Sequence, residues 1–237
     1  MTVEEFSFGF DTLVSSYRRF RDFDDKEPQD TIEFDEYEKS LFLTKAQEEI
    51  VISYYNGSNT QGNSFENTEE IRRYLDSLIK TKEYGPEDSI TDIGVSDLSI
   101  FFELPEDLAF ITLEQVTFDP ESISCYTGGR INVRPVTQDE YNKLKDNPFR
   151  GPTEYKVLRL DSGNKVVELV SKYNIASYII RYMAKPTPII LENLPNGLEI
   201  EGISIKTECM LNSILHNTIL ERAVQLAIQS KGIGEKK

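Results

Sequence analysis

The sequence predicts an α+β fold in which N- and C-terminal helices form a helical layer, with an inserted antiparallel β region that carries one short helix. Apolar residues recur at helical spacing near both ends of the chain, over Glu4–Arg21 and over Ser213–Lys231. Between them, from about residue 85 to 206, β-branched and aromatic residues come in short runs cut by Gly, Pro, Asp and Asn. The 237 residues are long enough to bury a sizeable core. We expect one domain over 1–237, with a helical part over about 1–84 and 207–231 and a β-rich part over about 85–206.

Each element has its own signal. In the first helix Phe6, Phe10, Leu13, Val14 and Tyr17 fall near one face, and the pattern stops in the acidic stretch 21–30 with Pro28 near its end. A second helical region runs from about Asp35, a possible cap, to Tyr55, with Gly57 beyond it. Thr44-Lys-Ala-Gln47 has the capping-box pattern, so this region is either one long helix or a short one hinged at Leu43 into a longer one. Residues 56–64 read as a loop. Thr68 then caps a third helix over 69–82, with a stripe of Ile71, Leu75, Leu78 and Ile79.

The expected strands are Ser99–Leu104, Ala109–Phe118, Arg130–Val136, Glu154–Leu160, Lys165–Val170, Ile175–Met183 and Ile189–Leu191, with a hairpin turn at Asp161–Asn164. Thr137 followed by Glu140 signals a short helix from Gln138 to about Lys145, stopped before Pro148. In the closing helix Leu215, Ile219, Ala223 and Ala227 fall four apart, flanked by Leu220, Val224 and Ile228.

Charge is unevenly placed. Residues 1–120 carry 28 Asp+Glu against 10 Lys+Arg, a balance of −18, whereas residues 121–237 carry 13 against 16, a balance of +3. A sequence pI of 4.6 argues against nucleic acid as a direct ligand, because a binder needs Lys and Arg to displace counterions from phosphates. The start lacks a basic leader and no apolar run reaches membrane-spanning length, so the expectation is maturation in a reducing cytoplasm and no membrane partner.

The side chains that enzymes rely on are scarce. There is one histidine, His216, and no phosphate-binding loop, Gly-x-Gly-x-x-Gly, Gly-x-Ser-x-Gly or His-Glu-x-x-His. His216, in the first turn of the last helix, reads as structural or capping. Cys125 and Cys209 have no metal spacing and read as reduced, packed thiols. Gly128-Gly129-Arg130 fits an anion-binding turn or an ordinary tight turn before a strand. Glu199 and Glu201 alternate along an extended stretch and could pair, as two acids among 41 often would by chance. No cofactor or metal is expected. The acids at 22–25 and 33–38 form either a solvated face or an interaction surface. Two rivals from other classes are a carboxylate- or metal-dependent hydrolase and an acidic regulatory binding protein.

Certain strings together resemble one family. They are Tyr37-Glu-Lys-Ser40 running into Leu41–Val51, Arg134–Asn142 with Asn147-Pro-Phe-Arg150, Tyr178-Ile-Ile-Arg-Tyr182 with Lys185–Leu191, and Glu208-Cys-Met-Leu211, His216 and Ile219–Ala227. In order and spacing they are similar to the neck ring proteins of crAss-like tailed bacteriophages, over most of the chain from about residue 33.

The resemblance implies a virion structural protein, a head-to-tail adaptor that forms a twelve-fold ring beneath the portal and carries the tail components below. Its partners would then be further copies of itself, the portal and other neck or tail proteins. Genomic DNA would pass through without specific binding. An acidic wall suits such a channel because it does not hold phosphates. On that reading acids from residues 22–38 or 83–107 line or approach the lumen, with Asp22, Asp24, Asp25, Glu33, Asp35 and Glu36 as named candidates. The tail Lys231–Lys237 is a candidate arm, with Lys231, Ile233, Lys236 and Lys237 reaching a neighbouring subunit or the portal. Leu43 is a possible hinge between free and assembled states.

Overall fold

The structure, a computed structural model, describes residues 1–21 (side chains through Ser16), 33–59, 62–123, 128–195 and 197–231. The fold is α+β, with helices at both ends and a sheet between them. By its internal contacts the chain forms two compact units, one from Met1–Leu78 with Pro186–Lys237 and one from Ile79–Lys185.

The first unit is helical. Helix α1 (Val3–Arg21) buries Val3, Phe6, Phe10 and Val14, the expected apolar face. Helix α2 (Glu36–Asn56) is capped at Asp35 and stopped by Gly57, whose φ of 75° is the left-handed conformation that ends helices at glycine. It is one unbroken helix, and Leu43 is fully buried inside it. The Thr44–Gln47 pattern is therefore not a capping box, because both residues lie mid-helix, where the backbone donors are already taken.

Helix α5 (Ser213–Ser230) packs against both α1 and α2, with Leu215, Ile219, Leu220, Ala223, Val224 and Ala227 buried. Each large apolar side chain so removed from water contributes about 1.5–3 kcal/mol. Gly9 lets α1 approach closely, since a Cβ there would lie 2.7 Å from the Leu220 side chain.

The expected helix over 69–82 is wrong in length. Helix α3 (Glu69–Tyr74) stops after six residues, its Thr68 makes no side-chain cap, and a 3-10 turn at Asp76–Leu78 leads into strand β1 (Ile79–Tyr84). The stripe nevertheless holds for burial, with Ile71, Leu75 and Leu78 all in the core. Tertiary pairing overrode the local pattern: all six residues of β1 lie in an antiparallel ladder with β8 (Ile175–Ala184).

The second unit is an eight-stranded sheet. Its other strands are β2 (Ser89–Ile90), β3 (Ser99–Glu103), β4 (Leu108–Phe118), β5 (Ile131–Pro135), β6 (Val157–Gly163) and β7 (Val166–Val170). The order is β1-β8-β4-β5-β6-β7-β3-β2. Every pairing is antiparallel except β5–β6, which is parallel and joined through α4 (Gln138–Leu144). Parallel neighbours need such a crossover, and this one buries Tyr141 and Leu144 against Leu158, Leu160 and Val170.

The sheet curls on itself. Rings of Tyr84 on β1 and Phe102 on β3 lie 5.3 Å apart although those strands are first and seventh in the order. Three register shifts along β4 supply the extra twist that curling requires.

Three further expectations are corrected. Strand β6 begins at Val157, because Thr153–Lys156 is a tight turn. The β6–β7 hairpin turns on Asn164 and Lys165, both at positive φ (48° and 61°), so the turn is Gly163–Val166, two residues past the expected Asp161–Asn164. Residues 189–191 form no strand; Ile190 makes a lone bridge to Thr207.

Candidate functional site

The N-terminus of α2 gathers several of the residues singled out by sequence. Asp35 Oδ1 accepts from the Glu38 backbone at 2.6 Å, and Glu38 Oε2 accepts from the Asp35 backbone at 3.3 Å, a reciprocal cap. Glu36 faces inward, where its Oε1 accepts from Lys39 Nζ at 2.9 Å and from Ser7 Oγ at 2.8 Å. Lys39 is buried and also donates to Asp11 at 2.8 Å. Burial pulls its pKa down, but hydrogen bonds to Asp11 and Glu36 outweigh it and hold the ammonium above its ordinary value.

Lys231, at the C-cap of α5, comes to the same place. Its Nζ lies 3.5 Å from Glu38 Oε1 and 5.1 Å from the centre of the Phe34 ring. A cation at a helix C-terminus and acids at a helix N-terminus each oppose the local helix dipole. The structure thus brings Glu33, Asp35, Glu36 and Lys231 to one end of the helical unit, with Asp35 and Glu36 engaged within it and Glu33 exposed. Asp22, Asp24, Asp25, Ile233, Lys236 and Lys237 lie outside the described residues, as does Cys125.

A second constellation was not foreseen from sequence. Ser40, Thr44 and Gln47 fall at i, i+4 and i+7 on the buried face of α2 and hold an extended segment that has no sheet beside it. Ser40 Oγ accepts from Leu191 N at 3.0 Å, Thr44 Oγ1 accepts from Ile189 N at 3.1 Å, and Gln47 Nε2 donates to Thr187 O at 2.8 Å. Cys209 Sγ completes the row with a contact of 3.3 Å to Gln47 Oε1, and burial pushes its thiol pKa up, away from reactivity. A polar stripe at helical spacing beside Pro186 and Pro188 was the available signal, since buried backbone must find partners somewhere.

The sheet unit buries two carboxylates, Glu168 on β7, which accepts from Val95 N at 2.6 Å, and Glu114. Glu114 on β4 accepts from Arg159 Nη1 on β6 at 2.8 Å and from the Tyr178 hydroxyl on β8 at 2.5 Å. Burial, then the Glu114 charge, raises the Tyr178 pKa, so its hydroxyl stays protonated and donating. Arg159 also approaches Asp161 at 3.4 Å, too poorly aligned for a hydrogen bond from Nε. Glu114 and the Tyr178 hydroxyl are satisfied by these bonds, whereas Arg159 Nε is buried without a hydrogen-bond partner among the described residues.

The remaining candidates have structural surroundings. His216 Nε2 lies 2.9 Å from Leu211 O, so that nitrogen carries the proton, while Nδ1 lies 2.7 Å from the Met1 amine. Burial is the main cause of its lowered pKa, which keeps the ring neutral. Gly128 has φ 75°, and a Cβ on it or on Gly129 would meet open space. Glu199 and Glu201 do not alternate along a strand. Glu201 (φ 52°) and Gly202 (φ 78°) are the two central residues of a tight turn closed by Ile200 and Ile203. Among the described residues no three His, Cys, Asp or Glu are grouped to hold a metal ion, and no helix is long and apolar enough to cross a membrane.

What the surface does offer is exposed apolar area. Ile93 is 95% exposed, Phe149 88%, Tyr155 78% and Phe8 73%. Such groups are ordinary when scattered singly and mark surfaces that meet other proteins where they join into contiguous patches.

Comparison with known proteins points the same way. The family model described as phage tail ring protein 3/4 matches residues 1–237. The chain is 48% identical to Ring protein 3 of Bacteroides phage crAss001 over 233 residues, which is 98% of this chain and 96% of that protein. It is 33% identical to Ring protein 4/5 of the same phage over 236 residues, 96% of this chain and 92% of that protein.

Proposed function

The chain belongs to the phage tail ring protein 3/4 family, and from that premise we propose that this structural ring protein is a head-to-tail adaptor of the virion neck. In this role it forms a ring of twelve copies, docks on the portal, continues the DNA channel and attaches tail components. The observation that carries the reading is the 48% identity to a ring protein along 98% of the chain.

Physical features support it. A subunit of a closed ring needs unlike faces that fit each other, and this chain exposes apolar side chains in both of its units. A formal net charge of −15 makes a wall that does not hold phosphates, so DNA slides past without binding. Because Asp35 and Glu36 are engaged within the helical unit, lining the lumen falls mainly to Glu33 and to Asp22, Asp24 and Asp25. Lys231 lies beside Glu38, and with Ile233, Lys236 and Lys237 it is our candidate for the contact with the portal or the next copy. None of this requires a catalytic residue.

Electron microscopy of the purified protein with and without the portal tests the reading. A closed ring on the portal, with residues 22–38 toward its axis, is the expected result. A protein that stays monomeric beside the portal overturns the adaptor role, and acids on the outer rim overturn the lining role.

A further inference from the structure

Each unit carries an exposed feature, a loop with a net positive charge in one and a groove with more acids than cations in the other. In the sheet unit the segment between α4 and β6 is a stiff, projecting loop. Asn147 Oδ1 accepts from the backbone of Phe149 at 2.9 Å and of Arg150 at 3.1 Å, and Gly151 N donates to Asn147 O at 2.8 Å. A Cβ on Gly151 would lie 2.9 Å from Asn147 O and 3.0 Å from Leu144 O, so only glycine fits this backbone. Lys156 Nζ donates to Phe149 O at 3.2 Å and ties the two ends of the loop together.

This scaffold spends its rigidity on holding Phe149 and Tyr155 out in water, 88% and 78% exposed. Residues 143–156 carry Lys143, Lys145, Arg150 and Lys156 against Asp146 and Glu154, and the Tyr155 hydroxyl hydrogen-bonds to Glu154. Aromatic residues and arginine are enriched among the anchors of protein interfaces, and a segment held by its own hydrogen bonds loses less entropy on docking.

In the helical unit a groove of about 530 Å³ runs between α3 and the start of α5, lined by Thr68, Glu69, Glu70, Arg73, Tyr74, Asn212 and Ile214. Ile214 presents an apolar surface there, 61% exposed. Arg73 neutralises Glu69 at 2.6 Å, whereas Glu70 accepts from the uncharged Tyr74 hydroxyl. The groove is therefore concave, apolar in part and acidic.

We infer that the Phe149–Tyr155 loop of one copy seats in the α3–α5 groove of a neighbouring copy. The aromatic rings cover Ile214 and Tyr74, and Arg150 with the flanking lysines meets Glu70. The contact joins unlike patches that every copy carries, so it propagates head to tail and closes as a ring. It rests on the ring reading above and names the surfaces that reading needs.

Sedimentation of the full chain at low salt, from roughly 1 µM to 1 mM, tests it. All substituted positions are exposed or lie at the rim of the groove, and an unchanged circular dichroism melt verifies folding. F149A/Y155A is expected to weaken self-association about thirtyfold. R150E and E70R should each weaken it, and the two together in one chain should restore it, since each copy then carries both reversed patches. Undiminished association of F149A/Y155A overturns the loop contact and leaves the ring reading standing. Loss with F149A/Y155A but no rescue by R150E/E70R overturns the groove as its receptor. A wild type that stays monomeric throughout overturns the contact, while the ring reading is judged separately by imaging with the portal.

Discussion

The two units solve the same physical problem, keeping buried polar groups satisfied, in different ways. In the sheet unit the backbone pairs with itself along ladders such as the one joining all six residues of β1 to β8. The buried charge there lies in the group Glu114–Arg159–Tyr178 and in Glu168, which accepts from Val95 N. In the helical unit the segment 187–191 pairs with backbone at the Ile190–Thr207 bridge, and toward α2 the side chains of Ser40, Thr44 and Gln47 serve as its partners. A helix face can thus take the place of a sheet edge when it places hydroxyls and an amide at i, i+4 and i+7. The first solution depends on charge in a low-dielectric interior, the second on neutral hydrogen bonds whose loss is individually smaller.

The contrast is broken most severely at Glu114. Its side chain is 5% exposed and that of Arg159 12%, so Glu114→Ala leaves a buried guanidinium without its main partner. With the exposed Asp161 carboxylate 3.4 Å away as its remaining counter-charge, the expected loss is about 2–4 kcal/mol. Hydrogen exchange should show it as lost protection across β4, β6 and β8. Replacing Glu114 and Arg159 together by Leu and Met should cost much less, because no charge is then stranded. Equal losses for the single and double variants would mean that the pair acts through packing alone.

Thr44→Val is the matching test in the helical unit. It keeps the shape and removes the oxygen that accepts from Ile189 N at 3.1 Å. A loss of about 1–3 kcal/mol is expected, read as faster exchange in 187–191 and α2. Unchanged protection there would show that the segment is held by apolar contacts instead.

The smallest effect is a pH dependence. The folded pKa of His216 lies below the ordinary value of 6.5, chiefly through burial. As pH falls, the unfolded chain takes up this proton first, so the contribution is complete above 6.5 and declines between 6.5 and the lower folded value. Denaturant midpoints of wild type and His216→Gln should therefore converge as pH drops through that window. Parallel profiles would remove His216 as their cause.

Much of this was legible in the residues. The apolar faces of α1 and α5, the cap at Asp35, the stop at Gly57 and the helix after Thr137 all follow from local rules. Each involves neighbours within one or two turns, and local geometry decides them. The failures have a common origin. Ile71, Leu75 and Leu78 form a good helical stripe, yet the chain leaves the helix at Tyr74 because Ile79–Tyr84 gains a full ladder with residues a hundred positions away. Thr44 and Gln47 read as a cap for want of any sign that residues 187–189 would lie against them. Of the candidate site, the acids at the start of α2 and Lys231 were named in advance. Their convergence was not, because it depends on how α2 and α5 pack.

By itself the sequence determined the α+β class, the helical ends, the acidic character and the absence of familiar catalytic motifs, since these depend on composition and on spacing within a few residues. Only the tertiary structure decided that 79–84 is a strand, that α2 holds 187–191 through its side chains, and that Phe149 and Tyr155 stand bare on a rigid loop. Those outcomes rest on pairings between distant segments, where the free energy of a contact is set by what the fold brings beside it.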